Sequence, residues 1–214
     1  MQVQKGFAQA EAEEASLILL DMNTYGGEVV YADSIRTRIL NTETPVCVFI
    51  NNNAASAGAL ICIACDKIFM RSGAVIGAST VVDQSGEVAP DKYQSYMRGI
   101  IRATAEAQGK DTLIADGDTM YVWKRDPAIA EAMVDPDVEI PGVIEKGKVL
   151  TFTATEALQN KYCDAIVQSK EEILETHYGY GDYELKVFRP SLKDKISGRL
   201  MGTALRAILI MIIV

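Results

Sequence analysis

Ser56 stands in the run Asn-Asn-Asn-Ala-Ala-Ser-Ala-Gly over 51–58, with Ala54, Ala55, Ala57 and Gly58 as its neighbours. Neighbours this small let a substrate backbone approach a hydroxyl closely. The serine follows the apolar run VCVFI (46–50) and opens the small-residue helix ASAGALICIAC (55–65). That places it at the positive end of a helix dipole, where an alkoxide or oxyanion is stabilised. The ordinary alternative is an N-cap serine whose small neighbours serve helix packing. Gly26 and Gly27 shift the balance. An oxyanion hole needs backbone N–H groups that no side chain obstructs, and this pair follows the neighbouring apolar run SLILLDM (16–22). One N–H from Gly27 and one from Ala57 can then converge on a carbonyl oxygen, with Gly26 beside them. A plain turn requiring positive φ is the alternative for the glycines.

A nucleophilic serine needs a base, and the chain has one histidine, His177. It lies in ILETHYGYGDYE, which reads as the polar end of a peripheral helix, so a surface histidine is expected. A lysine can serve when its surroundings lower its pKa. Of twelve lysines, Lys92 is the most suggestive, because it sits at an expected helix start where the dipole disfavours its charge. Asp91 beside it pulls the other way, and a solvated lysine is the alternative. Cys62 and Cys65 form a C-x-x-C pattern, but inside an apolar helix, with Cys47 and Cys163 isolated. Small core residues are the better account than a redox pair or zinc ligands. No phosphate-binding glycine loop occurs, so neither a metal nor a cofactor is expected.

The positioning elements follow from the period of the pattern. Two buried-type strands, 16–22 and 46–50, flank the helical spacing of VVYADSIRTRIL (29–40). Such a unit closes right-handed with parallel strands, so both carboxyl ends, with the glycine turn and Ser56, face one way. Downstream, DKIFMRSGAVIGA (66–78) suggests short strands with glycine turns, VVDQSGEVAPDK (81–92) a polar loop, and DKYQSYMRGIIRATAEAQ (91–108) a helix. A looser stretch over 116–137 leads to the strand-like VEIPGVI (138–144) and KVLTFT (148–153), then a capped helix TATEALQNKY (153–162) and a closing strand DAIV (164–167). MQVQKGFAQAEAEEA at the start is helical in pattern. The plausible linker is 188–203, and the apolar run AILIMIIV (207–214) is either part of a membrane span or a C-terminal core strand. The basic, Gly/Ser-containing stretch before it favours the membrane segment.

With 214 residues and 49% apolar content, the chain suits one globular domain with a sizeable core. A formal charge of -8 and the absence of a Lys/Arg-rich run argue against nucleic-acid binding.

NNNAASAGALI after an apolar strand, with TYGGE before it, resembles the Clp-type serine protease and crotonase-like fold. More closely, GAVIGAST, APDKY, AEAMVDPDVEIPG, LTFTATEAL and YCDAIV, in order over about 16–168, resemble the N-terminal protease domain of the NfeD family of membrane-bound serine proteases. The resemblance implies an α/β fold of Clp protease/crotonase type with repeated ββα units. It also implies a Ser-Lys pair on Ser56 and Lys92, with oxyanion donors on Gly27 and Ala57. Family members usually place this domain outside the cytoplasm, on the periplasmic side, attached to membrane helices. The division expected is therefore a protease domain over 1–188 and a juxtamembrane linker with the start of a membrane segment over 189–214. Three departures stand out. A proline expected before the glycines is absent from TYGG, a glycine expected near Lys161 is absent from QNKYCDA, and the first strand or two and the signal peptide of the family are missing before Met1. Without that glycine, Asn160 or Lys161 has to take the cap conformation.

The leading expectation is an endopeptidase acting on apolar segments of membrane-associated proteins, a stomatin-like protein being the family-based candidate, in a homo-oligomer. The alternatives are a non-catalytic membrane scaffold that binds a stomatin-like partner and a crotonase-type acyl-CoA enzyme.

Overall fold

The computed structural model describes residues 2–83, 85–115, 118–190 and 207–213. Helix α1 (Gln2–Ala12) precedes strand β1 (Leu17–Thr24), helix α2 (Val29–Leu40), strand β2 (Val46–Ala55) and helix α3 (Ala57–Ala64). Both strands are buried on both faces, which is why they read as unbroken apolar runs rather than alternations. Leu17, Leu19, Cys47 and Phe49 pack on one side with Phe69, Val167, Ile173 and Leu174. Ile18, Leu20, Met22, Val48 and Ile50 pack on the other against α3 and the remaining helices.

Strand β2 is ten residues long, and that length organises the site. Its first half pairs in parallel with β1 and with β3 (Lys67–Met70), through Cys47 to Ile50. Its second half, Asn53 to Ala55, pairs in parallel with β4 (Val75–Gly77). The sheet therefore curls, and Ser56 emerges where it turns from β3 to β4. The expected parallel βαβ unit is present, with α2 over the residues its spacing indicated.

After β4 come helix α4 (Asp91–Ala107), an antiparallel hairpin of β5 (Lys110–Ala115) and β6 (Asp118–Trp123), and helix α5 (Pro127–Ala132). Strand β7 (Thr151–Thr153) returns antiparallel to β4, helix α6 (Ala154–Gln159) follows, and β8 (Ala165–Ile166) pairs in parallel with β3. The capped helix is confirmed in detail. Thr153 and Glu156 exchange the reciprocal hydrogen bonds of a capping box at the start of α6. At its end Lys161 takes the left-handed conformation, φ 62°, and Tyr162 N–H reaches Ala157 C=O at 2.7 Å. Lysine thus fills the position where a glycine is expected.

Two expectations are corrected. VEIPGVI does not join a sheet; it makes one bridge between Ile140 and Ile144, because Pro141 has no N–H to donate. The stretch read as loose, 116–137, contains strand β6, the second arm of the hairpin that β5 opens just before it, and helix α5. A short helix (Lys170–Glu172) continues as a π turn (Ile173–His177), followed by β9 (Glu184–Val187). The apolar run favoured as the start of a membrane segment runs over Ala207–Ile213 as β10, between β1 and β9 and antiparallel to both. Among the described residues no helix is long and apolar enough to cross a membrane. From 191 onward, the expected linker lies outside the described residues.

Candidate active site

The parallel register of β1 and β2 decides what meets Ser56. Thr24 pairs with Ala54 across a register shift after Met22, so Gly26 and Ser56 both lie two residues past that pair. They come into contact. A Cβ on Gly26 would stand 2.9 Å from Ser56 Cβ and 3.2 Å from its Oγ, and Gly26 has φ 127°, a conformation that L side chains rarely adopt. Thr24 Oγ1 accepts from Gly26 N–H at 3.2 Å and donates to Gly26 C=O at 3.1 Å, closing the turn on itself. The missing proline is thus replaced by a side-chain clasp. Gly58 brings α3 equally close to β1, since a Cβ there would lie 2.6 Å from Thr24 Cγ2.

Ser56 occupies the position before α3 but does not cap it: its side chain makes no cap hydrogen bond, and its backbone sits at φ 56°, ψ −121°. A serine in that region carries strain of order 1–3 kcal/mol, which the surroundings must hold. They hold it by three bonds. Ser56 N–H donates to Gly77 C=O at 2.9 Å, and Ser56 C=O accepts from Ala59 N–H at 3.0 Å and from Ser79 Oγ at 3.2 Å. Among the described residues the hydroxyl has no hydrogen-bond partner, and it is half-buried at the head of a fully buried helix. The N–H groups of Gly27 and Ala57 donate to no described residue, Gly27 being exposed in the turn and Ala57 buried in the first turn of α3.

Lys92 lies in the first turn of α4, one residue after the Asp91 that begins it, and is exposed. Asp91 is committed to Arg98 at 2.9 Å, so it does not hold the lysine. Among the described residues no hydrogen bond or ion pair joins Lys92 to Ser56. What links their elements is Gln94, a buried residue that the sequence did not single out. Its amide accepts from Val81 N–H at 3.0 Å and donates to Val81 C=O at 2.7 Å and Ala89 C=O at 3.1 Å. The start of α4 is thereby pinned to the segment that leaves Ser79, itself also missed. The signal for both was slight: a polar residue beside a glycine turn, and a glutamine on an apolar helix face.

His177 is exposed, its ring 5.0 Å from Phe69, as expected of a peripheral residue. The four cysteines are all buried. Burial pushes the Cys47 thiol up to about 12 and the Cys163 thiol to about 11, and raises Cys62 and Cys65 as well, which suits core residues rather than nucleophiles. A separate cavity of about 600 Å³ is lined by Lys67, Gln108, Arg125 and Asp164 among others and includes none of the site residues.

The chain is 29% identical over 209 residues to membrane protein NfeD1b of Bacillus subtilis (strain 168), covering 97% of this chain and 44% of that protein. It is 25% identical over 210 residues to membrane-bound protease PH1510 of Pyrococcus horikoshii, covering 87% of this chain and 42% of that protein. It thus spans less than half the length of these curated relatives. Among solved structures, the 1510-N membrane-bound stomatin-specific protease, as a lysine-to-alanine mutant in complex with a substrate peptide, superposes with TM-score 0.69 at 24% identity, over 93% of this chain and 89% of that one. ClpP1 from Listeria monocytogenes does so with TM-score 0.50 at 15% identity, over 80% and 86%. The fold is therefore of the Clp protease type, and the chain is related to a membrane-bound protease. A family model described as NfeD1b, N-terminal domain, matches residues 1–187, and the chain belongs to that family.

Proposed function

We propose that this domain is a serine endopeptidase in which Lys92 deprotonates Ser56. The Ser56 alkoxide attacks a peptide carbonyl, and the Gly27 and Ala57 N–H groups, with Gly26 giving the approach, hold the oxyanion. The intermediate collapses to an acyl-enzyme as the amine leaves with a proton from Lys92, and water then releases the acid. One observation carries the reading: Ser56 is held in a strained conformation with its hydroxyl free of the helix it precedes. The relatedness to a membrane-bound protease supports it.

The substrate in this reading is an apolar stretch of a membrane-associated protein, a stomatin-like protein being the first candidate. Exposed Tyr25, Val30, Tyr31, Val82, Val88 and Tyr93 lie on the glycine turn, the start of α2, the 81–89 loop and the start of α4. They offer apolar contacts to an extended peptide. The proposal also places the domain outside the cytoplasm, as a homo-oligomer tethered through 189–214, so that Ala207–Ile213 would leave β1 and β9 to enter a bilayer.

A second reading, a non-catalytic scaffold for a stomatin-like partner, is favoured by the exposed Lys92, which among the described residues makes no hydrogen bond or ion pair to Ser56. Digestion of a mixed peptide library by the wild type and by Ser56→Ala separates the two. The proposal expects cuts within apolar stretches that vanish in the variant. Cuts flanked by charged residues on both sides contradict the apolar substrate, and no cleavage by folded protein favours the scaffold.

A further inference from the structure

Ser79 is 1% exposed, and its hydroxyl donates to the carbonyl of Ser56 at 3.2 Å. That carbonyl and the N–H of Ala57 belong to one planar peptide unit, so fixing the direction of the first fixes the direction of the second. Resting on the oxyanion role proposed above for Ala57, we infer that Ser79 is a positioning residue that aims the Ala57 N–H at the developing oxyanion.

The surroundings suit a rigid support. Ser79 N–H donates to Met133 C=O at 2.5 Å, Thr80 Oγ1 donates to Val134 C=O at 2.9 Å, and Ala78 N–H donates to Leu150 C=O at 2.9 Å. Gly77 before it is packed against Leu150 and Thr151 so closely that no side chain fits, and its carbonyl accepts the Ser56 N–H. Three consecutive residues are thus anchored to the body of the domain, and two of the three hydrogen bonds that hold the Ser56 backbone come from this segment. Preorganised donors are worth most when they need no reorientation during reaction. The Ser79 bond supplies that condition at the one peptide unit where nucleophile and donor meet.

The test compares the wild type with Ser79→Ala and Ser79→Thr, the second keeping a hydroxyl. Peptide turnover should fall by about 10-fold or more in Ser79→Ala with KM unchanged, a smaller loss than the ~100-fold of removing an oxyanion donor outright. Ser79→Thr should recover most of kcat, and the midpoint of the pH–rate profile should stay the same in all three. In parallel, the Ser56 carbonyl carbon and Ala57 amide nitrogen NMR shifts, which need no activity, should move in Ser79→Ala and return toward wild type in Ser79→Thr. Unmoved shifts overturn the inference, as does a kcat loss that the threonine fails to restore although its melting temperature matches wild type. Shifts that move as expected in Ser79→Ala, with a wild type that neither cleaves peptide nor labels at Ser56, overturn instead the dyad reading on which the catalytic consequence rests.

Discussion

Gly26 lies so close to Ser56 that a Cβ on the glycine would stand 3.2 Å from the serine hydroxyl. The contact arises because both residues lie two positions past the Thr24–Ala54 pair of parallel strands, and it makes the glycine turn part of the serine's immediate surroundings. Gly26→Ala adds that Cβ at φ 127°, where an L residue is also strained. The variant should lose about 1–3 kcal/mol of stability, measured by chemical denaturation. Its peptide turnover should fall by about 100-fold or more, as when an oxyanion donor is displaced.

Base assignment is read from substitution. With Lys92 acting as the general base, replacing its amine should abolish turnover. Lys92→Arg should be inactive because guanidinium stays protonated, and His177→Ala should behave as wild type. A histidine variant that loses activity while Lys92→Arg keeps it reverses the assignment.

The Arg125–Asp164 pair contributes to stability in acid. Burial alone would raise the Asp164 carboxyl, but the Arg125 guanidinium at 2.6 Å, the Ile68 N–H at 2.8 Å and Lys67 at 2.9 Å outweigh it and hold the carboxyl below its ordinary value. A depressed carboxyl contributes stability that is fully present above the unfolded-state pKa of about 3.9 and disappears as pH falls through the folded-state value. Urea midpoints measured from pH 7 downward should therefore drop below about pH 4. Asp164→Asn should flatten that drop and lower stability at pH 7 by about 3–5 kcal/mol, because Arg125 is left buried without a counter-charge.

Much of this arrangement was legible in the sequence because it is local. The unbroken apolar runs of β1 and β2, the helical spacing of Val29–Leu40, and Thr153 followed by Glu156 each carry their own signal. The unlocated parts depend on distance or exposure. The β5–β6 hairpin exposes Leu113, Ile114, Met120 and Tyr121, so it lacks the alternation that burial of one face would impose. Arg125 meets Asp164 across 39 residues and Ser79 meets Ser56 across 23, pairings that only the curled sheet brings about. The strain at Ser56 is likewise invisible in composition, since alanines and a glycine around a serine serve an ordinary cap equally well.

The buried thiols give a check on the packing of α3. Cys47, Cys62, Cys65 and Cys163 should resist a thiol-specific disulfide reagent in the native protein and react together on unfolding, since burial disfavours their thiolates. Rapid reaction of Cys62 or Cys65 in folded protein would show that α3 is open to solvent and would disagree with the close contact of Gly58 on Thr24.

The account turns on Ser56 being a nucleophile, and covalent labelling measures that directly. Folded wild-type chain is treated with a fluorophosphonate, and the adduct is located by peptide mapping. Labelling should fall on Ser56 alone, should be absent from Ser56→Ala with an unchanged circular dichroism spectrum, and should slow sharply in Lys92→Ala. An adduct on another serine, or none at all on a folded sample, would contradict the account.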